Sequence, residues 1–277
     1  MSEREFKFTM QDFNFLRKLS NEHSGIVVSD DKYDMFYSRL SRRVRKLGLS
    51  SFKEYCEVIN MDQEGEEIIE LINSITTNLT AFFRENHHFD YLATTVIPEI
   101  LANNSDKKIR IWSAGCSTGE EPYSISITLL ESIPNLNSYR PRILATDIDS
   151  NVLSHAALGV YALDRITGLP DKRIKQWFQK GKGNQSGMVR LKPEVRDLIK
   201  YGQLNLMQNW SLDDPQDVIF CRNVIIYFDK SSKIRLIDKF ADNLKDDGHL
   251  FIGHSESLFK LTDRFELIGQ TIYRKIK

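Results

Sequence analysis

Residues 109–123 read IRIWSAGCSTGEEPY, and they hold the densest grouping of side chains able to bind a small molecule. Ile109, Ile111 and Trp112 form a short apolar run suited to a buried parallel strand. It ends in Ser113, Ala114, Gly115, Cys116, Ser117, Thr118 and Gly119, and two acids, Glu120 and Glu121, follow. Pro122 comes next, then apolar residues at helical spacing from Tyr123 to Glu131. Strand, glycine-containing turn and helix start open a nucleotide-binding βαβ unit. Proline suits the first helical turn, where its missing N–H costs nothing. The turn carries neither G-x-G-x-x-G nor Gly-Lys-Ser/Thr, so it is neither a dinucleotide fingerprint nor a P-loop. Two acids at the helix entry would repel a pyrophosphate. A ligand with hydroxyls and an ammonium group fits better, which points to S-adenosylmethionine.

Other polar groups fall where such a ligand needs them. Arg142 to Ala145 reads as a second strand, and Asp147 just beyond it is placed to hold ribose hydroxyls. Asp149 and Ser150 have the form of a helix cap. Asn205-Leu206 and Arg222-Asn223 also fall at or near carboxyl ends of strands, where open α/β sheets bind ligands. Arg84 lies beside Phe82 and Phe83, a costly setting unless it meets an anion such as a ligand carboxylate. His87 and His88 are adjacent on a helix and so point apart, which argues against a shared metal.

The elements that position these groups follow from periodicity. Residues 9–77 read as four short helices, with Thr9 or Asp12 capping the first. The second, about Asp31 to Leu47, buries Phe36, Leu40, Val44 and Leu47 and carries Arg39, Arg42, Arg43, Arg45 and Lys46 on its other faces. That basic set reads either as a solvated face or as a docking surface for an acidic partner. From residue 159 to 202 the pattern changes to a helix over 171–178 and short strands at Met188–Leu191 and Leu198–Tyr201, an insertion into the α/β unit. Lys180 to Gly187 between them reads as a mobile hairpin tip. The sheet resumes with Asp217 to Cys221, a helix over 231–244, a turn at Asp246-Asp247-Gly248, a strand from His249 and a final strand pair in 265–275.

Composition limits the partners. Lys+Arg and Asp+Glu balance at 38 each, so no global field favours nucleic acid or an acidic membrane surface. No signal peptide or membrane-spanning apolar run is evident. The three cysteines, Cys56, Cys116 and Cys221, are scattered and suggest a reducing cytosol.

Residues 78–84 (NLTAFFR), 113–124 (SAGCSTGEEPYS), 145–149 (ATDID), 220–228 (FCRNVIIYF) and 253–257 (GHSES), in this order, resemble the CheR family, the chemotaxis receptor glutamate O-methyltransferases. The resemblance covers nearly the whole chain. It implies an α/β fold with a Rossmann-like class I methyltransferase domain at 78–277. A β subdomain is inserted at about 159–202, and a small all-α N-terminal docking domain spans 1–77. By the same resemblance, Asn78, Thr80, Arg84, Glu121, Asp147, Asn205, Leu206, Arg222 and Asn223 contact the cofactor S-adenosylmethionine, and Arg84 and Tyr227 adjoin the reaction centre. The basic second helix matches the family's substrate-docking face. Gly181, Gly183 and Gly187 resemble a loop that in some members grips a peptide tethered at the receptor C-terminus. The implied partners are methyl-accepting chemotaxis receptors, without nucleic acid, metal or membrane insertion, and the chain is expected to be a cytoplasmic monomer.

The implied chemistry needs little machinery. A glutamate carboxylate, with a reference pKa of about 4.3, is already a nucleophile at neutral pH and needs no general base. Direct in-line attack on the sulfonium methyl gives a glutamyl methyl ester and S-adenosylhomocysteine, with proximity contributing on the order of several kcal/mol. Arg84 would orient the carboxylate and Tyr227 would help fix it. Two other readings stand beside this one. One is a non-catalytic module that binds the cofactor and docks to receptors. The other is a methyltransferase with another acceptor, RNA or a small molecule, although zero net charge and the lack of an aromatic-basic stripe disfavour RNA.

Overall fold

The computed structural model describes residues 4–62, 64–103 and 106–277, and the elements named below are those of the described residues. It divides into two units, Met1–Thr77 with Tyr227–Ser232, and Asn78–Ile226 with Lys233–Lys277.

The first unit holds α1 (Met10–Ser24), α2 (Tyr33–Lys46), α3 (Phe52–Met61) and α4 (Glu66–Ile75). Thr9 caps α1, and Asp12 completes the reciprocal capping box. Phe13, Leu16, Phe36, Leu40, Phe52, Tyr55 and Leu71 are fully buried between the helices.

The five basic residues of α2 do not form one solvated face. Arg39 donates to the carbonyls of Ile75 (2.6 Å) and Thr76 (2.7 Å), satisfying acceptors left open where α4 ends. Arg43 donates from Nε to Glu67 Oε1 (2.7 Å) and reaches Glu70 at 3.1 Å, with both Arg43 and Glu67 largely buried. Arg45 pairs with Glu5 at the surface. Arg42 and Lys46 are exposed. Two of the five therefore fasten α2 to α4, because a guanidinium within reach of orphan carbonyls or a buried carboxylate is drawn to them rather than to water.

In the second unit α5 (His87–Tyr91) continues through a π-helical stretch, Leu92–Val96, into α6 (Ile97–Asn103). Pro98, which lacks the N–H that would continue the ladder, lies just after the π stretch. The sheet and its helices then alternate: β1 (Ile109–Ala114), α7 (Glu120–Ser132), β2 (Pro141–Asp147) and α8 (Ser150–Leu158). Next come β3 (Val160–Ala162), α9 (Asp171–Trp177), β4 (Phe178–Lys180), β5 (Met188–Leu191), α10 (Pro193–Arg196) and β6 (Ile199–Gln203). After β7 (Gln216–Cys221), α11 (Lys230–Asn243) leads to β8 (Leu244–Ile252), β9 (Phe265–Gly269) and β10 (Ile272–Lys275).

Seven strands form one sheet in the order β6-β2-β1-β7-β8-β10-β9. β6, β2, β1, β7 and β8 are parallel, and β10 and β9 complete the sheet antiparallel. β1 and β7 are buried at every position, as a strand covered on both faces by helices must be. The chain moves from β1 to β2 on one side and returns to β7 on the other, so the strand order reverses at the carboxyl end of β1. β3, β5 and β4 form the separate antiparallel sheet of the insertion.

Two expectations shift. Residues 199–203 pair in parallel with β2, not with the small sheet, so the inserted strands end at Leu191. The turn expected at Asp246-Asp247-Gly248 is instead a bulge within β8. The register jumps from Gln216 opposite Leu244 to Val218 opposite His249, and Asp247 takes a left-handed φ of 59°.

His249 ends that bulge buried, with Nε2 3.6 Å from Glu99, which Arg274 also binds at 2.9 Å. Burial pushes its imidazole down to about 4, with Arg274 pushing the same way and Glu99 and Asp247 opposing. The unfolded chain therefore takes up this proton first, so stability is lost as pH falls from about 6.5 towards 4. Urea titrations at neutral and acid pH should show the wild type losing up to about 3 kcal/mol more than His249→Gln. Parallel losses in the two proteins would remove His249 from the acid sensitivity.

Candidate functional site

The site is assembled at the carboxyl ends of β1, β2, β6 and β7, where the strand order reverses. Gly115 follows β1 with φ 87°, and a Cβ there would stand 2.4 Å from Val224 Cγ2, so glycine is required for this close approach. Gly115 and Cys116 both donate N–H groups to Thr146 O, tying the turn to the end of β2. Gly119, also left-handed, starts α7, whose first turn carries Glu120 and Glu121, acids suited to a helix N-terminus.

Asp147 is buried and accepts the Ser117 N–H at 2.8 Å and the Asp149 N–H at 3.0 Å. Burial raises its carboxyl above the ordinary range, against those amide donors. Each carboxylate oxygen retains lone-pair capacity for a ligand hydroxyl. Asp149 does cap α8, accepting from Asn151 at 2.9 Å. Its other oxygen accepts Asn78 Nδ2 at 2.8 Å, and the Asn78 carbonyl accepts Ser117 Oγ at 3.2 Å. The Asp147 carbonyl accepts the Leu204 N–H at 3.0 Å, fixing the turn that carries Asn205 and the buried Leu206.

Arg222 organises the other half. Its side chain is 2% exposed and lies 3.1 Å from Glu121 and 3.3 Å from Glu85, and it donates to the carbonyl of Arg84. Glu121 also accepts Ser113 Oγ at 2.7 Å, so both its oxygens are engaged. The two acids that share Arg222 titrate apart. Full burial raises Glu121, despite Arg222 and Ser113, whereas Glu85 is lowered, because His254 and Arg222 outweigh its desolvation. Thr80 enters through its carbonyl, which accepts Arg165 at 2.7 Å while Arg165 pairs with buried Glu120. Arg84 is half-buried and donates to Leu79 O at 2.8 Å, and among the described residues it forms no ion pair.

Asn223 follows Arg222 with a left-handed φ of 60°, and buried Glu256 holds this turn. Its carboxylate accepts N–H groups from Gly253 (2.6 Å), Asn223 (2.8 Å) and Ile226 (3.1 Å). Tyr227 closes the following 3₁₀ turn, and its carbonyl accepts the Val27 N–H at 2.9 Å.

The chain from residue 78 to 274 matches the model of the CheR methyltransferase, SAM binding domain, and residues 11–76 match the CheR methyltransferase, all-alpha domain. The chain belongs to the CheR methyltransferase family. It is an S-adenosylmethionine-dependent methyltransferase. It is 42% identical to the chemotaxis protein methyltransferase 2 of Pseudomonas aeruginosa over 98% of this chain and 95% of that protein. It is 41% identical to the chemotaxis protein methyltransferase of Escherichia coli over 96% and 92%. Among solved structures, the glycopeptide N-methyltransferase MtfA resembles it at 14% identity over 60% of this chain and 59% of that one. The TM-score there is 0.33, too low to bear on the fold.

In this CheR methyltransferase the donor set fits the cofactor. Among the described residues, Glu85, Glu120, Glu121, Asp147 and Asp149 stand against Arg84, Arg165 and Arg222, a balance that favours a ligand carrying ammonium and sulfonium charges. Glu85, Glu256 and Arg165 were not singled out from sequence. Glu85 and Glu256 lie in or next to motif stretches, but an acid in a loop has no signature until its amide partners are known.

Glu256→Gln leaves the size unchanged but turns one acceptor oxygen into a donor facing backbone N–H groups, at a cost of about 1–3 kcal/mol. The dissociation constant for S-adenosylhomocysteine should rise about tenfold by calorimetry, equivalent to about 1.4 kcal/mol, with unchanged far-UV circular dichroism. Wild-type affinity in the variant would separate Glu256 from the cofactor site.

Proposed function

We propose that this enzyme esterifies glutamate side chains on the cytoplasmic helices of chemotaxis receptors, with cofactor contacts from Asn78, Thr80, Arg84, Glu121, Asp147, Asn205, Leu206, Arg222 and Asn223. The observation that carries the reading is Arg84, a guanidinium without a carboxylate partner among the described residues, on the loop whose carbonyl Arg222 holds. A substrate carboxylate supplies the missing anion. Bound S-adenosylmethionine supplies an electrophilic methyl that a carboxylate attacks without acid activation. Arg222 keeps Glu121 and Glu85 in place by ionic contacts at 3.1 and 3.3 Å in a buried setting, so the pocket need not reorganise during the reaction. Arg84 orients the acceptor carboxylate and offsets its desolvation, and Tyr227 is assigned beside it by family resemblance.

Receptor docking falls to Arg42, Lys46 and the surface-paired Arg45, since Arg39 and Arg43 are committed within the helical unit. The hairpin at 180–188 is shaped by its glycines. Gly183 and Gly187 are left-handed, and a Cβ on Gly181 would meet Gln185 O at 2.0 Å. We assign the β4 edge of the small sheet, one of its two outer strands, to a peptide tethered at the receptor C-terminus, by strand addition. Among the described residues no helix is long and apolar enough to cross a membrane. With Cys56, Cys116 and Cys221 all free, we place the enzyme in the cytoplasm as a monomer.

Labelled methyl transfer to receptor-containing membranes should give counts released by mild alkali, as esters are and N-methyl groups are not. Alkali-stable label would favour another acceptor. Arg84→Ala should lower kcat/KM by about 100-fold or more, the scale of one lost electrostatic contact in a desolvated site, and full turnover would sink its assignment. Arg42→Glu with Lys46→Glu should raise the receptor KM several-fold without altering S-adenosylhomocysteine affinity. Arg43→Ala should instead unfold the helical unit more readily, by about 3–5 kcal/mol, because Glu67 is left buried and unpaired. A double variant with normal receptor KM would move docking elsewhere.

A further inference from the structure

Beside the cofactor loop, three buried ligand atoms converge without hydrogen-bond partners among the described residues: Glu85 Oε2, His87 Nε2 and His88 Nδ1. One ligand atom from each of the three residues lies within 4.8 Å of the others, and His88 Nδ1 is 3.7 Å from Glu85 Oε2. Adjacent histidines on a regular helix would diverge. His87 and His88 open α5 with their rings only 4.2 Å apart, and left-handed φ angles at Phe83 and Glu85, 53° and 56°, curl the preceding loop so that Glu85 lies beside them.

The outer contacts fix the chemistry of this cluster. His88 Nε2 lies 3.1 Å from the Gln270 carbonyl and 3.1 Å from Thr271 Oγ1. A carbonyl only accepts, so Nε2 carries the proton and Nδ1 presents its lone pair inward. That is how metal-binding imidazoles are oriented, by donating the far N–H to a backbone carbonyl. Glu85 is similarly held from behind, its Oε1 2.7 Å from His254 Nδ1, while Oε2 faces the two imidazoles. A lone pair of His88 turned toward a carboxylate oxygen is repulsive unless a cation or proton lies between them. Arg222 Nη2, 3.3 Å from Glu85 Oε2, answers part of that charge, but Glu121 shares the same guanidinium.

We propose that Glu85, His87 and His88 bind a divalent transition-metal ion such as Zn²⁺ through these three atoms. Two imidazole nitrogens and one carboxylate oxygen suit zinc and its neighbours, not calcium or magnesium. Bonds of about 2.1 Å in a tetrahedral arrangement put ligand atoms about 3.4 Å apart, so separations of up to 4.8 Å need to contract by at most about 1.4 Å. The remaining position is left for solvent. The ion competes with Arg222 for Glu85, which ties its occupancy to the residue that also positions Glu121.

The test uses the untagged full chain, stripped with chelator, and reads metal binding alone, so its failure is distinct from failure of the methyltransferase reading. Zn²⁺ is titrated in competition with a chromophoric chelator, and Co²⁺ is added as a spectroscopic probe. One equivalent should bind in the micromolar range or tighter, with weak visible Co²⁺ bands typical of nitrogen and oxygen ligands. Losing an outer partner of a metal ligand already costs about 10–100-fold, so His87→Ala and Glu85→Gln should each weaken binding at least about 100-fold. His88 packs against Phe251, with ring centroids 5.4 Å apart, so its replacement risks the fold and the other two variants carry the test. No uptake by folded wild type would overturn the proposal. So would uptake unchanged in both variants, or a strong thiolate charge-transfer band, which would assign the ion to cysteine.

Discussion

A single buried guanidinium holds the site together. Arg222 leaves the carboxyl end of β7 and binds Glu121 on α7, Glu85 on the loop before α5 and the backbone carbonyl of Arg84. Three segments remote in sequence are thereby set at one point. A charge this deeply buried is tolerable because both Nη atoms meet an anion or a carbonyl, while Nε finds no hydrogen-bond partner among the described residues. Removing it would leave two acids facing each other in a desolvated site, so the loop that carries Arg84 and Glu85 depends on this residue as much as on its own sequence.

The remaining geometry follows from closing the strand ends around that point. Gly115 permits the turn after β1 to pass against Val224, and Thr146 receives its amides. Glu256 gathers three amides from two different turns and so sets Asn223 beside Arg222. These are backbone constraints supplied by side chains, and they preorganise the pocket before any ligand arrives. The surplus of acids over bases makes the same pocket selective for a cationic cofactor. Of the three arginines at the site, Arg84, Arg165 and Arg222, Arg84 is the one that forms no ion pair among the described residues, which suits a carboxylate acceptor.

The helical unit shows how one composition can serve two purposes. A run of basic residues on α2 reads as a uniform face, yet Arg39 and Arg43 spend their donors on α4 while Arg42 and Lys46 stay in solvent. Helical spacing distributes residues around an axis but does not tell which neighbours another helix brings within reach. The same reason explains β6. Ile199 to Gln203 has the alternation of any short strand, and only the free edge of β2 decided which sheet it joined.

The sequence by itself determined the alternation of strand and helix, the glycine-bearing turn after β1, the Thr9 and Asp149 caps and the family motifs, because each depends on residues within a few positions of one another. It also placed Glu121, Asp147, Asn205, Leu206, Arg222 and Asn223 at or near strand ends, since that follows from element order. Tertiary structure decided the rest: that Arg222 serves two acids, that Glu256 grips the turn carrying Asn223, and that Glu85, His87 and His88 turn toward one point. Those pairings join groups separated by as many as 138 positions, as between Arg222 and the Arg84 carbonyl. No local pattern encodes such a partner. It is selected by burial, where a charge or lone pair deprived of water must take whichever partner the fold delivers.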